Sequence, residues 1–335
     1  MTILSEFNTD IKKPKKVEQD DSLKAPLENY NNIVKRLSKQ SVEKHFEAYV
    51  DIDWDSTENT VDPEDARWEL FFIDPLRQSD WYNGLTEKEQ RKAGITRIAT
   101  VMRIGWEFEN LLQRGLLQAA FRLPNGAPEF RYIHHEVIEE SHHSMMFQEF
   151  VNRTGLKVKG MPVYLKFLAE VVVLPAQKLF PALFFFFVLG GEDPIDHMQR
   201  TELKNGNPPE LVKQIMKIHV TEEARHISFA RQTLKVSVPQ LSKIRRGILS
   251  VLVPGLMAIM VRLMVYPSSN FRKLNSVPIK EYLKSVRSLN SRQLVKDAAS
   301  KPRKLATDLG LMNPIAKLVW KATGLFDDNI VLSDD

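Results

Sequence analysis

Apolar residues recur every three to four positions along several long segments, which is the spacing of one face of an α-helix. Segments rich in Pro, Gly and Asn separate them, as at Pro124–Pro128 and Asn205–Pro209, and such residues end helices. No segment alternates apolar and polar residues over the length of a strand. The pattern predicts an all-α protein with a central bundle of four long helices. The four bundle helices are predicted over Thr86–Leu123, Phe130–Asn152, Tyr164–Leu203 and Glu210–Val236, and two flanking helices over Glu28–Tyr49 and Leu241–Val265. The third bundle helix is expected to bend at its prolines.

The same pattern predicts how the chain is divided. Residues 1–25 are polar and are predicted to form a mobile tail, and residues 26–335 to form one all-α domain. Within it we expect the bundle at about 86–237 and a further helical region at about 238–330. Two apolar runs, Val171–Gly190 and Ile248–Val261, are interrupted or short, so we expect core helices rather than membrane spans. The N-terminus has no apolar core of signal-peptide length, which predicts a cytoplasmic protein that is at most peripheral to a membrane.

The composition excludes several kinds of catalytic and metal-binding site. The chain has 335 residues and no cysteine, so disulfides, thiolate metal sites and thiol nucleophiles are excluded. The net charge is +5, but Arg231–Lys304 holds 16 Lys and Arg against two acids. This basic segment indicates either an anionic partner or a solvated basic face. Few aromatic residues interrupt it, so nucleic acid is not an expected partner.

Two Glu-x-x-His motifs carry the candidate chemistry. Residues three apart on a helix lie on the same face, so their carboxylate and imidazole converge. The second bundle helix contains Glu139-Glu-Ser-His-His143, which allows two registers, Glu139 with His142 or Glu140 with His143. The fourth contains Glu223-Ala-Arg-His226, and His219 lies one turn earlier on the same face.

Two such motifs, with one Glu from each remaining helix, are typical of ferritin-like bundles that bind two metal ions. The first bundle helix offers Glu107 and Glu109, and the third offers Glu170, Glu192 and Glu202. Glu192 is the best candidate of the third helix, because it lies in an apolar run where an unpaired charge is costly. Carboxylate and imidazole ligands suit iron, and manganese is an alternative at one position.

From Glu107 to Arg231 the sequence resembles the p-aminobenzoate N-oxygenase family of di-iron proteins. The matching segments are Glu109-Asn-Leu-Leu, Ile138–Met146, Gly191-Glu192 and His219-x-x-x-Glu223-x-x-His226. The resemblance implies a ferritin-like fold, two iron ions cycling between ferrous and ferric states, and O₂-dependent oxygenation of an amine nitrogen. It favours the register of Glu140 and His143. The implied ligands are Glu109, Glu140, His143, Glu192, His219, Glu223 and His226.

Two departures bear on the substrate. Where aryl-amine-oxidising members have an arginine one turn before the first glutamate ligand, this chain has Ile104. An asparagine four residues after the third glutamate is replaced by Asp196. A benzoate carboxylate would favour the arginine, so p-aminobenzoate itself is not the expected substrate. Asp196 and Glu139 are each either an acceptor for a ligand imidazole or an ordinary charge on the helix surface. Phe184–Phe187 either lines an apolar channel or packs in the core.

The sequence is compatible with several partners and with more than one function. Electrons must come from an external reductase or a ferredoxin-like donor, because no flavin or nicotinamide motif is present. The substrate is a small molecule or a carrier-bound group, and a homodimer is an open alternative. The other functions are a di-iron hydroxylase or desaturase of a lipid-like or carrier-bound acyl chain, and a non-catalytic iron-binding bundle. The basic segment could contact an anionic surface.

Overall fold

The computed structural model describes residues 24–327, and these contain helices but no strand. The short π-helical turn Ala169–Val173 and the 3₁₀ turns Thr57–Asn59 and Val238–Gln240 lie between longer elements. The predicted tail lies outside the described residues except for its last two, which begin the first helix. The α-helices are α1 (Lys24–Glu43), α2 (Asp80–Asn83), α3 (Glu87–Ala120), α4 (Pro128–Thr154), α5 (Val163–Leu168), α6 (Leu174–Leu179), α7 (Pro181–Asn205), α8 (Glu210–Ser237), α9 (Lys243–Val265), α10 (Ser269–Leu274), α11 (Ile279–Val286), α12 (Leu289–Ala298), α13 (Ser300–Asp308) and α14 (Pro314–Ala322).

Helices α3, α4, α7 and α8 form the central bundle, as the apolar pattern predicts. Helix α3 packs along α4, and α7 packs along α8. Thr86 caps α3 with a capping box, in which Thr86 and Glu89 exchange side-chain and backbone hydrogen bonds. Helix α1 covers α4 and α8, while α9 covers α7 and in turn contacts α14. The all-α, ferritin-like prediction is confirmed.

The predicted third bundle helix is bent at a proline, as expected, but its first half is not one continuous helix. Tyr164–Leu203 is divided into α5, the π-helical turn, α6 and α7, and the sharpest break lies at Phe180 (φ −149°, ψ 66°). Proline disfavours a helical conformation in the residue before it, and Pro181 follows Phe180. The break allows α7 to begin in its own direction, so only α7 contributes to the bundle.

Helix α9 and the residues after it are apolar on more than one face. By length and composition, the segment Lys243–Leu274 could cross a membrane, with a mean hydropathy of 2.3 over its most apolar window. Half of that window is buried in the protein. The expected core helix at Ile248–Val261 is therefore buried on one side only.

Candidate metal centre

The structure brings seven predicted side chains together in the middle of the bundle. Each bundle helix contributes at least one of them, and none is more than 1% exposed. Helix α3 supplies one carboxylate, α4 one Glu-x-x-His pair, α7 one carboxylate and α8 the second pair with an extra histidine. The seven are Glu109, Glu140, His143, Glu192, His219, Glu223 and His226.

The Glu-x-x-His spacing produces the convergence that the helix period predicts. Nδ1 of His143 lies 3.2 Å from Oε2 of Glu140, and Nδ1 of His226 lies 3.0 Å from Oε1 of Glu223. Of the two registers in α4, the pair Glu140 and His143 faces the cluster. The neighbouring His142 turns away and accepts a hydrogen bond from the backbone N–H of Ala48 at 3.1 Å.

Overlapping groups of three residues could each hold a cation. In every group the nearest ligand atoms lie within 4.8 Å of one another. Because His143, His219 and Glu223 belong to more than one group, neighbouring cations could share this set of ligands. The groups include Glu109–His143–His219, Glu140–His143–Glu223 and Glu192–His219–Glu223.

Several carboxylate oxygens of the cluster have no hydrogen-bond donor. Both oxygens of Glu192, Oε2 of Glu109 and Oε2 of Glu223 are buried without a hydrogen-bond partner. Burial and the charges of the neighbouring glutamates raise the pKa of Glu192 and of Glu109 well above the usual value. An unsatisfied buried carboxylate is costly, and a cation satisfies it. The cluster therefore fits a metal site better than it fits a polar network.

Two of the three imidazoles are held in the protonated form, and a metal ion would displace their protons on binding. Burial lowers the pKa of His143 and His226, but their contacts with carboxylates outweigh it and raise both well above the usual value. His219 differs, since burial and the nearby charged imidazoles lower its pKa to about 4. His219 is therefore neutral at physiological pH and can offer a nitrogen lone pair directly.

One nitrogen of each imidazole is held by an acceptor outside the cluster, which leaves the other nitrogen facing inward. Nε2 of His143 lies 3.0 Å from Oε2 of Glu222, and Nε2 of His226 lies 2.7 Å from Oε2 of Glu139. Nδ1 of His219 lies 2.9 Å from Oε1 of Gln199. Such contacts fix the tautomer and orientation of metal-binding histidines.

Arg225 links two of these outer acceptors. Its Nη2 lies 2.9 Å from Oε1 of Glu139 and 3.3 Å from Oε1 of Glu222. Because Glu139 holds His226 and Glu222 holds His143, one buried guanidinium positions the acceptors of both Glu-x-x-His imidazoles. Arg225 is thus a positioning residue for the cluster.

We expect the substitution Arg225→Gln to lower the affinity for ferrous iron by about 10- to 100-fold, the effect typical of losing groups that orient metal ligands. Glu139 and Glu222 would then share a buried region without a cation between them and would hold the imidazoles less firmly. Anaerobic titration against a chromophoric chelator measures the affinity. Arg231→Gln is the matched control, because Arg231 lies on the same helix but pairs with Asp193 on α7. Equal affinities in the two variants would contradict the role given to Arg225.

The remaining sequence candidates have other partners. Glu107 accepts hydrogen bonds from the backbone of Met161 and from Lys166, and Glu170 forms a surface ion pair with Arg114. Glu202 accepts from the backbone N–H of Phe72 at 2.6 Å. Glu107, Glu170 and Glu202 therefore pair with residues outside the cluster and are not part of it.

Asp196 is a wrong prediction as an imidazole acceptor. Its carboxylate lies 2.7 Å from Nε of Arg200 and 3.2 Å from Nζ of Lys301. Asp196 follows Glu192 by four residues and lies beyond the cluster. Gln199, and not Asp196, holds the imidazole of His219. The other suggested acceptor, Glu139, does hold His226.

Sequence reasoning missed four buried residues of the site, which are Glu136, Gln199, Glu222 and Arg225. Glu136 lies one turn before Glu140, and its carboxylate groups with Glu140 and His226 within 4.8 Å. Burial raises the pKa of Glu136 to about 8. Its spacing of four from Glu140 was a usable signal, because it predicts the same helix face. Gln199 and Glu222 gave no comparable signal.

A small apolar cavity adjoins one side of the cluster. Its volume is about 30 Å³, room for about one water molecule. Apart from Gln199, the polar groups that line it are members of the cluster, and no Lys or Arg is among them. The apolar lining is Val101, Met102, Gly105, Phe108, Phe147, Ile195 and Met264.

The aromatic run at the start of α7 forms core rather than a channel wall. All four phenylalanines from Phe184 to Phe187 are buried, and Phe187 packs against Phe108 with ring centroids 5.0 Å apart. Gly191 makes room for the same Phe108 ring, because a Cβ there would lie 2.2 Å from it. These contacts hold α7 against α3, so that Glu192 faces Glu109.

The family model of p-aminobenzoate N-oxygenase AurF matches residues 27–310. The chain belongs to this family. The N-oxygenase family is a family of di-iron proteins with a ferritin-like helical fold, which agrees with the bundle and with buried groups that could hold metal ions.

Known relatives of this N-oxygenase family member extend over most of its length. It is 42% identical over 295 residues to the uncharacterized protein Rv0885 of Mycobacterium tuberculosis. It has the same identity to the uncharacterized protein Mb0909 of Mycobacterium bovis. Each match covers 87% of this chain and 86% of the relative. No solved structure matches the chain with significance.

Proposed function

We propose that the protein is a di-iron oxygenase that transfers oxygen from O₂ to the nitrogen of an uncharged amine and takes electrons from an external donor. One observation carries the proposal. Four carboxylates and three imidazoles converge in the bundle core, and several carboxylate oxygens have no hydrogen-bond donor. Family membership supports the oxygenase class, and the identity of the substrate is our inference from the cavity.

The seven clustered residues would hold the two iron ions, with manganese as an alternative at one position. Bound iron supplies activation of O₂, a reaction that protein side chains do not perform alone. The chain contributes the geometry: Glu139, Glu222 and Gln199 orient the three imidazoles. Burial of the whole cluster excludes bulk water from it.

The apolar cavity supports an uncharged substrate. It lies beside Glu109, Glu192 and His219, and no cationic side chain lines it that could pair with a substrate carboxylate. Ile104, at the position where related enzymes have arginine, is itself buried. The cavity holds about one water molecule, so the side chains around it would have to move apart to admit an amine with an apolar body. A benzoate placed among these apolar residues would lose the solvation of its charge.

The metal test is the iron content after anaerobic loading with ferrous ion and desalting. We expect about two irons per chain, as in other carboxylate bundles of this type. The double substitution Glu140→Ala/His226→Ala removes one ligand from each motif and should retain clearly less iron. The matched control Glu170→Ala/His134→Ala also removes one acid and one histidine, but from outside the cluster, and should load fully. A parent protein that retains no iron would overturn the proposal.

The oxygenase test follows on the loaded protein. With a chemical reductant, O₂ and a panel of aryl and alkyl amines, we expect formation of hydroxylamine or nitro products that the Glu140→Ala/His226→Ala variant does not form. Mass spectrometry with ¹⁸O₂ identifies the source of the added oxygen. Full iron loading without turnover of any amine, but with hydroxylation of a hydrocarbon chain, would favour the hydroxylase alternative. Loading without any substrate oxidation would favour a non-catalytic bundle.

A further inference from the structure

Helix α9 exposes a face that consists only of apolar residues. Its exposed large side chains are spaced at helical intervals, so they lie along one side of the helix. Ile244 is the most exposed, at 77%. From Gly247 to Val261 the helix contains no charged residue. The exposed large apolar side chains of α9 are Ile244, Ile248, Val251, Leu252 and Ile259.

Helix α14 extends this surface. Near its start, Nδ2 of Asn313 donates to Oγ of Ser250 at 2.7 Å, and past its end the carbonyl of Thr323 accepts from Arg262. The two helices therefore run side by side in the same direction. Ile315 and Leu318 of α14 are 64% and 66% exposed. Together with the five residues of α9, they form what we call the aliphatic strip.

The charged residues that belong to these two helical segments are all basic. Lys243 begins α9, and Lys317 and Lys321 project from α14, all exposed. No Asp or Glu occurs from Pro239 to Lys280 or from Leu309 to Phe326, the two segments that contain these helices. An apolar face bordered by cations is the pattern of helices that lie in the interface of an anionic membrane.

We propose that the aliphatic strip docks the protein on an anionic lipid bilayer. The opposite face of α9 is buried against α7, where Met257 and Met260 lie over Gly190. The helix therefore lies along the bilayer surface rather than crossing it, although its length and composition would allow a span. The strip enters the acyl boundary, and the lysines contact lipid phosphates.

A second copy of the chain fits this surface less well. A symmetric dimer brings the same patch of both subunits together, so Lys243, Lys317 and Lys321 would face their own counterparts. No acid from either of the two helical segments is available to offset that repulsion. An anionic lipid surface satisfies both the apolar residues and the cations.

Docking would bring the bilayer close to the apolar cavity. Met264, which lines the cavity, lies on the buried side of α9 near the end of the aliphatic strip. An apolar substrate dissolved in the membrane would thus be concentrated near the bundle. The docking itself does not depend on the proposed oxygenase activity and can be tested separately from it.

Vesicle flotation with the full chain tests the proposal. We expect binding to vesicles of phosphatidylcholine with about 30% phosphatidylglycerol, and much weaker binding to phosphatidylcholine alone. The substitution Ile244→Asp/Leu318→Asp should weaken binding to the anionic vesicles by about tenfold or more, since it removes two apolar anchors and adds two negative charges. Both positions are exposed, so the substitution leaves the core intact.

Val42→Asp/Val50→Asp is the matched control. It makes the same change of charge at two exposed residues near α1, on the layer that covers α4 and α8. This control should bind vesicles as the parent does. Three results would overturn the proposal. They are no binding of the parent to anionic vesicles, equal loss in both double variants, or a parent dimer in sedimentation velocity that only the strip variant dissociates.

Discussion

Glu192→Gln should abolish the stabilisation of the protein by ferrous iron while leaving the metal-free protein at least as stable as the parent. At a free iron concentration about a thousand times the dissociation constant, the parent gains about 4 kcal/mol in free energy of unfolding. Glutamine keeps the size of Glu192 but replaces a carboxylate oxygen by an amide that binds metal poorly. Glu192 is fully buried with neither oxygen hydrogen-bonded, so the metal-free protein loses no existing contact. Anaerobic thermal unfolding with and without ferrous ion measures both quantities.

The pH dependence of the same variant gives a second observable. Burial and the neighbouring carboxylates raise the pKa of Glu192 in the folded protein. The folded state therefore retains a proton that the unfolded chain releases above about pH 4.3, and the contribution of Glu192 to metal-free stability falls as pH rises. Glutamine does not titrate. The stability of the variant relative to the parent should therefore increase from about pH 5 to about pH 8.

Glu202→Gln is the control for Glu192→Gln. Glu202 is also a buried acid of α7, and its pKa is also raised by burial, but its carboxylate accepts from the backbone of Phe72. Glutamine can keep that contact, so iron should stabilise this variant as it does the parent. Full iron stabilisation of Glu192→Gln would remove Glu192 from the proposed ligands. A large loss of metal-free stability would mean that Glu192 supports the fold itself.

The sequence was sufficient to predict the four-helix bundle, because helix periodicity is a local property. The ends of α3, α4, α8 and α9 lie within a few residues of their predicted positions. The prolines of the third predicted helix indicated a bend, but not that a helix would end at Phe180, where the apolar run continues through a change of direction. Hydrophobicity alone cannot distinguish one buried helix from two shorter ones that meet at a proline. The short helices α10 to α14 lack the length at which periodicity becomes informative.

The two Glu-x-x-His motifs were predictable for a similar reason, but their spacing left two registers open in α4, and the resemblance to the N-oxygenase family favoured Glu140 with His143. The spacing of Glu140 to His143 and of Glu223 to His226 determines which atoms converge within one helix. The acceptors outside the cluster depend instead on how the helices rotate against each other. Glu222 reaches His143 across from α8 to α4, and Arg225 joins Glu139 from the same direction. No spacing along one helix contains that information, which is why Gln199 was missed and why Asp196, suggested as an acceptor, has other partners.

Arg97→Met should lower the free energy of unfolding by about 3 to 5 kcal/mol, because it leaves the buried carboxylate of Asp74 without its cation. The side chains of Arg97 and Asp74 are both fully buried, and Nε of Arg97 lies 2.6 Å from Oδ2 of Asp74. Nη2 of Arg97 also donates to the carbonyl of Val265 at 2.7 Å. Arg97 of α3 thereby links Asp74, in the segment between α1 and α2, to the end of α9. Urea denaturation measures the loss.

The double variant Arg97→Met/Asp74→Leu separates the cost of the unpaired charge from the cost of the lost contacts. With neither charge buried, it should recover a large part of the stability that Arg97→Met loses, as replacement of buried ion pairs by apolar residues often does. Lys284→Met is the exposed comparison, since Lys284 of α11 and Asp80 of α2 form a surface ion pair, and solvent screening should make its loss cost far less than the loss of the buried pair. A loss from Arg97→Met no greater than that from Lys284→Met would contradict this explanation. Because α9 carries Met264 and five of the seven residues of the aliphatic strip, the buried pair would then also be unnecessary for holding these residues in place.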